Sequence, residues 1–188
     1  MVFLINQLLQ FDDRMKTLIL MRHAKSAWEA GDVADHDRPL SDRGRTATPA
    51  MGRWLRQQKL KPDRVLCSTA KRAGETLALL RPYLPDDVPV EMTERLYMAL
   101  PREMLAVLAK VKDNAVESLL MIGHNPGIGS LAHWLAGQGD KKTLGRMQEK
   151  FPTGAVAVID FDIASWRELD GEQGNLRLFM TPKEQAKD

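Results

Sequence analysis

Short apolar runs recur along the chain, each closed by polar or turn-forming residues, and stretches with helical spacing fill the intervals between them. The first run, Thr17-Leu18-Ile19-Leu20-Met21, has no polar alternation. Such a run reads as a strand buried on both faces. Further strands are predicted at Arg64–Cys67, Val88–Met92, Ser118–Ile122, Ala155–Phe161 and Leu176–Met180. A helix is expected from an N-cap at Ser41 towards Gln58, with Trp54 and Leu55 facing inward and a kink at Pro49. Others are expected at Ala70–Leu80, ended by Pro82 and Pro85, and at Pro101–Val111, with Met104, Leu105 and Leu108 spaced for burial. The turn Asn125-Pro126-Gly127 leads into a helix over Ile128–Leu135.

Strands alternating with helices predict an α/β fold of three layers, α/β/α, because parallel neighbours need crossover helices that cover both sheet faces. The central sheet is expected to be mostly parallel, with the last two strands free to pair antiparallel. Two polar stretches interrupt the pattern. Ala24–Leu40 is too long for a simple connector and is expected to be functional or mobile. Gly137–Lys150 is polar and Gly-bearing and reads as a surface insertion.

At 188 residues the chain fits one core, placed at 15–182 with a C-terminal tail at 183–188. Residues 1–14 read as an extension, from an upstream start site or as an amphipathic helix carrying Phe3, Leu4, Leu8 and Phe11 on one stripe. A formal charge of +2, from 27 basic and 25 acidic residues, lacks the chain-wide excess of a nucleic-acid binder. No apolar run approaches a membrane span, and Met1–Phe11 lacks the flanks of an export signal. A single cysteine suits a reducing compartment, so a cytoplasmic location is expected.

Candidate chemistry falls at the strand ends. Arg22 and His23 follow the first run, His124 follows Leu119-Leu120-Met121-Ile122-Gly123, and Arg72 lies shortly after Val65-Leu66-Cys67. Open α/β sheets keep their ligands at such carboxyl ends. Phosphoryl transfer needs an in-line nucleophile and cations on the non-bridging oxygens. A neutral imidazole, with a reference pKa of about 6.5, can be that nucleophile without a metal. Guanidinium grips phosphate through a planar fork. His23 is therefore the candidate nucleophile, and Arg22, Arg72 and His124 are the candidate phosphate-binding groups. Ser68 could add a hydroxyl hydrogen bond near the start of the second helix, where backbone amides also favour an anion.

Competing readings attach to single residues. Cys67 invites a cysteine-dependent phosphatase, but one residue too few separates it from Arg72 for such a loop, and it ends an apolar strand, so packing is expected. Asp32, Asp35, His36 and Asp37 could suggest a metal site, yet acids crowded into one loop more often form a solvated face. His36 and His133 are read as ordinary hydrogen-bonded residues. A non-catalytic phosphate-binding module would keep the arginines but has no need of His23.

Three motifs then stand in a fixed order: Leu20-Met21-Arg22-His23-Ala24, Ser68-x-Ala70-x-Arg72-Ala73-x-x-Thr76 and Gly123-His124-Asn125-Pro126. Together they resemble the histidine phosphatase superfamily over about Lys16–Pro182. Arg22-His23-Ala24-Lys25-Ser26, Asp37-Arg38-Pro39-Leu40 and Phe151-Pro152-Thr153-Gly154-Ala155 are similar to its SixA-type protein-histidine phosphatase branch. That resemblance implies a phosphoglycerate-mutase-like fold, a transient phosphohistidine at His23, phosphoryl binding by Arg22, Arg72 and His124, and no metal or organic cofactor. It also implies a phosphorylated protein or a small phosphorylated compound as substrate. Glu94, in Glu94-Arg95-Leu96-Tyr97, resembles the acidic position of the mutase branch and is the candidate general acid. The sequence gives no oligomeric state.

Overall fold

The computed structural model describes residues 15–28 and 33–186. The extension at 1–14 and Asp32 lie outside the described residues. Seven strands form one sheet: β1 (Met15–Arg22), β2 (Arg64–Ser68), β3 (Val90–Thr93), β4 (Ser118–Gly123), β5 (Ala136–Gly139), β6 (Val156–Asp162) and β7 (Gly174–Met180). The helices are α1 (Asp42–Gln57), α2 (Lys71–Leu80), α3 (Pro101–Leu108), α4 (Gly127–Leu135), α5 (Lys141–Glu149) and α6 (Pro182–Gln185). Strand order is β3-β2-β4-β1-β6-β7-β5. β3, β2, β4 and β1 pair parallel, β6 runs antiparallel to both β1 and β7, and β5 is parallel to β7. The sheet is thus mostly parallel.

The unbroken apolar runs are explained by two cores, one on each face. Leu18 and Leu20 of β1 point into the core under α3 and α4, while Ile19 and Met21 point into the core under α1 and α2. β4 repeats this, with Leu119 and Met121 on one face and Leu120 and Ile122 on the other. Side chains alternate across a strand, so a strand covered on both sides needs apolar residues at every position. α1 is capped by the Ser41 side chain, which accepts from the Gly44 amide, and it runs unbroken through Pro49. The bond that proline removes falls at the Arg45 carbonyl, at an exposed residue.

Two expected surface segments carry regular structure. Gly137–Lys150, expected as a surface insertion, holds most of edge strand β5 and helix α5. Residues 183–188 are not simply a tail. The start of this segment belongs to α6, which packs on α1 and is tied to α5 by the Arg146–Glu184 ion pair at 2.8 Å. Among the described residues no helix is long and apolar enough to cross a membrane.

β2, β4 and β1 are parallel neighbours, so their carboxyl ends open on the same edge of the sheet. Arg22 stands opposite Gly123 in the β1–β4 ladder, and Cys67 opposite Ile122 in the β4–β2 ladder. The residues that follow each strand are therefore delivered side by side.

Candidate active site

His23 leaves β1 with its backbone amide still bonded to the Gly123 carbonyl at 3.0 Å. The next turn is fixed from two sides. Gly154, at φ +77°, turns its amide onto the carbonyls of Arg22 and His23 at 3.1 and 3.0 Å. An added Cβ there would come within 2.8 Å of Pro182 in a backbone conformation that side chains resist. From the other side, the Ala24 amide donates to the Thr76 hydroxyl, which donates to the Arg72 carbonyl. Thr76 thereby joins the nucleophile loop to the first turns of α2.

Arg22, His23, Arg72 and His124 line one cavity of about 240 Å³, together with Lys25, Asp35, Arg38, Asn125 and the exposed Trp28 and Met98. The His23 and His124 ring centroids are 4.9 Å apart. His23 Nδ1 donates to the Ala24 carbonyl at 2.7 Å, which places its hydrogen on that nitrogen. Nε2 is left with its lone pair and accepts from Arg72 Nε at 3.3 Å. Burial foremost, with the charges of Arg72, Arg22 and Arg38, pushes the His23 pKa down to about 4, against the Ala24 bond that raises it. The ring is a neutral base at physiological pH. Burial likewise brings His124 down to about 3, with His23 and Arg72 as further causes.

Arg22 donates to the Phe151 carbonyl at 3.0 Å, and its buried Nε has no partner among the described residues. Asn125 Nδ2 donates to the same carbonyl at 3.0 Å. A larger groove of about 500 Å³, lined by His133 among others, adjoins and shares Arg22 and Asn125. Arg72 spends its fork on Asp35: Nη2 donates to the carboxylate at 2.9 Å and Nη1 to the Asp35 carbonyl. Tyr97 donates to the same carboxylate at 2.8 Å, and Arg38 at 2.9 Å. Those donors, Tyr97 foremost, hold the Asp35 carboxyl well below the usual carboxylate range. One arm of the arginine fork is thus held by a carboxylate and the other by a backbone carbonyl, in place of the phosphate oxygens that such a fork grips.

The sequence and the fold resemble known proteins. The model of the histidine phosphatase superfamily (branch 1) matches residues 18–98. An uncharacterized protein of Mycobacterium tuberculosis is 45% identical over 141 residues, 74% of this chain and 85% of the relative. The phosphohistidine phosphatase SixA of Escherichia coli K12 is 30% identical over 146 residues, 77% of this chain and 85% of the relative. A candidate phosphohistidine phosphatase SixA from Nakamurella multipartitia superposes with a TM-score of 0.77 at 31% identity, covering 89% of this chain and 96% of that one. The chain belongs to the histidine phosphatase superfamily, in its SixA-type branch.

In this histidine phosphatase, two of the residues expected at the site stand elsewhere. Ser68 is fully buried and lies behind His124, its hydroxyl 2.8 Å from His124 Nε2 and also accepting the Ala70 amide at 3.3 Å. It is a neighbour of a site histidine rather than a phosphate ligand. Glu94 is exposed in a short 3-10 turn and does not line the cavity. Cys67 is buried, and desolvation pushes its thiol up to about 12, far from a reactive thiolate. His36 lies closer to the site than its loop position suggested: Nε2 is 3.1 Å from the Thr69 hydroxyl, and its ring meets Tyr97 edge-on. Asp35 faces arginines, and among the described residues no three His, Cys, Asp or Glu side chains converge to hold an ion.

Sequence reasoning missed Asp35 and Arg38 as parts of the cavity and Tyr97 as the donor behind Asp35. A signal was available in Arg38, which stands in the branch-level Asp37-Arg38-Pro39-Leu40 stretch. Its guanidinium ties Asp35 to Ser26 and to the Ala27 carbonyl.

Proposed function

We propose that this histidine phosphatase removes phosphate from phosphohistidine on a partner protein, by way of a phosphohistidine at its own His23. In the first step His23 Nε2 attacks phosphorus, an Nε2–P bond forms, and the substrate's P–N bond breaks with the proton carried by the departing nitrogen. Water then attacks phosphorus, its oxygen bonds to phosphorus, and the Nε2–P bond breaks to give inorganic phosphate. Arg22 and Arg72 neutralise charge on the non-bridging oxygens in both steps, and His124 donates a hydrogen bond to them.

One observation carries the reading: His23 spends its hydrogen on the Ala24 carbonyl and turns a bare Nε2 towards the Arg72 guanidinium. A second concerns the leaving group. Asp35 is the sole acid lining the cavity among the described residues, and its three donors make it a poor source of protons. An alkyl phosphate ester needs a proton delivered to its oxygen, whereas a phosphoramidate nitrogen can leave already protonated. That favours P–N over P–O substrates. Trp28 and Met98, at 77% and 50% exposure on the cavity, suit contact with another protein's surface better than with a small polar metabolite.

The test is turnover on phosphohistidine-bearing proteins against small phosphate esters, with His23→Ala as the blank and acid-labile labelling of His23 as the direct sign of the intermediate. Faster turnover of esters would move the substrate to the small-molecule class. Turnover without His23 labelling would remove the covalent step.

A further inference from the structure

His124 is 1% exposed, its Nε2 is anchored at 2.8 Å on the Ser68 hydroxyl, and its Nδ1 has no partner among the described residues. A neutral imidazole carries one hydrogen, and which nitrogen holds it must be inferred from the partners of both. Ser68 settles the matter by counting. Its oxygen already accepts the Ala70 amide, and His124 Nε2 is the single acceptor within reach of its hydroxyl hydrogen among the described residues. If His124 carried its hydrogen on Nε2, two hydrogens would face each other across 2.8 Å, or the buried hydroxyl would lose its only acceptor. An unmet buried donor is costly. With the hydrogen on Nδ1 the Ser68–His124 pair is satisfied and one group is left unmet, the Nδ1–H, where the other tautomer leaves two, and that N–H belongs to a ring that lines the cavity.

We infer that Ser68 is a positioning residue that fixes His124 as the Nδ1–H tautomer, so that the second imidazole meets the phosphoryl group as a donor and not with a lone pair. This rests on the phosphatase reading above and specifies how that site is set. Both site histidines then hold their hydrogen on Nδ1 but face the cavity oppositely. His23 gives its hydrogen to Ala24 and shows a bare nitrogen, which suits attack. His124 takes a hydrogen bond from Ser68 and shows an N–H, which suits an anion. A lone pair of His124 turned towards the same oxygens would repel them. Among the described residues Ser68 makes the one hydrogen bond to the His124 ring, and Tyr97 meets that ring only edge-on, at 5.5 Å between centroids.

Nitrogen-15 chemical shifts and long-range couplings distinguish imidazole tautomers in the whole, unaltered protein at neutral pH. The expected spectrum assigns the His124 hydrogen to Nδ1; a hydrogen on Nε2 overturns the inference. Ser68→Ala is expected to spread His124 over both tautomers and to weaken inhibition by inorganic phosphate about twofold, the factor by which an even split lowers the competent population. Ser68→Thr keeps the hydroxyl and restores both readings. A Ser68→Ala protein that keeps the Nδ1 tautomer and wild-type phosphate inhibition also overturns it. The tautomer spectrum needs no turnover, so failure of His23 to become labelled would sink the phosphatase reading while leaving this result standing.

Discussion

The candidate catalytic cavity has a wall and a cap built on opposite terms. The wall is Arg22, His23, Arg72 and His124, the last three exposed by 5%, 3% and 1%. Each ends or follows a strand whose ladder fixes its backbone. The cap is the segment 33–40, which reaches the body through a single isolated bridge, Ser26 to Leu40, and through side-chain bonds. Its Asp35 side chain is 49% exposed, yet it holds the fork of a nearly buried arginine. The wall sets what chemistry occurs, since its groups cannot be rearranged without moving the sheet. The cap sets how readily an anion enters, since a phosphate must take the place of a carboxylate.

The strongest way to break this division is through Arg72. Arg72→Lys keeps the charge but loses the fork and the Nε contact to His23 Nε2. If the wall acts as a fixed electrostatic cradle, turnover should fall by about 10²- to 10³-fold, the usual cost of one oxyanion donor. A loss below about fivefold would place Arg72 among the merely supporting residues.

Acidity separates the wall from ordinary surface histidines. Burial and neighbouring arginines disfavour the charged ring, so His23 in the folded protein should remain neutral until about pH 4, where a solvated histidine titrates near 6.5. The sign carries over to stability. Below 6.5 the unfolded chain takes up the proton first, so this group's contribution is complete above 6.5 and is eroded as pH falls towards 4. His124 acts in the same direction, with its own lower limit near 3. Proton NMR titration of the His23 ring reads the value directly. A midpoint near 6.5 would mean that the wall is wetter than its burial implies.

The cap is sharpened by Asp35→Asn. Removing the negative charge loosens Nη2 of Arg72, while Nη1 keeps the backbone carbonyl, and ends the repulsion between Asp35 and an incoming anion, so inorganic phosphate should bind about fivefold tighter. The gain is modest because exposed ion pairs are screened. Weaker phosphate binding in Asp35→Asn would mean that the carboxylate orients Arg72 instead of competing for it.

The wall was legible in the sequence, and the cap was not, for a physical reason. Continuous apolar runs locate buried parallel strands, and the residues after them share an edge by topology alone; Arg22, His23, Arg72 and His124 required nothing further. Asp35 and Tyr97 meet because the segment 33–40 lies against the strand ends, and no periodicity records that placement. The same reason hid β5 and α5. β5 is Ala136-Gly137-Gln138-Gly139 at the sheet edge with only its first residue buried, and α5 buries only Met147, so neither shows an apolar face to detect. Ser68 was found by its motif but misassigned, because sequence cannot tell a residue facing the cavity from one standing behind it.

The smallest expected effect is also the sharpest on substrate class. Glu94 matches an acidic motif position, yet it is exposed and away from the cavity lining, so it belongs to neither wall nor cap. Glu94→Gln should change turnover of both phosphohistidine and a phosphate ester by less than about twofold, well short of the 10²- to 10⁴-fold that a general acid supplies. The ester arm matters more, because an oxygen leaving group is where a missing proton donor would be felt. If esters alone lost an order of magnitude, Glu94 would have to swing into the cavity during turnover. The case for a nitrogen leaving group would then lose its structural ground, since the chain would hold a usable acid after all.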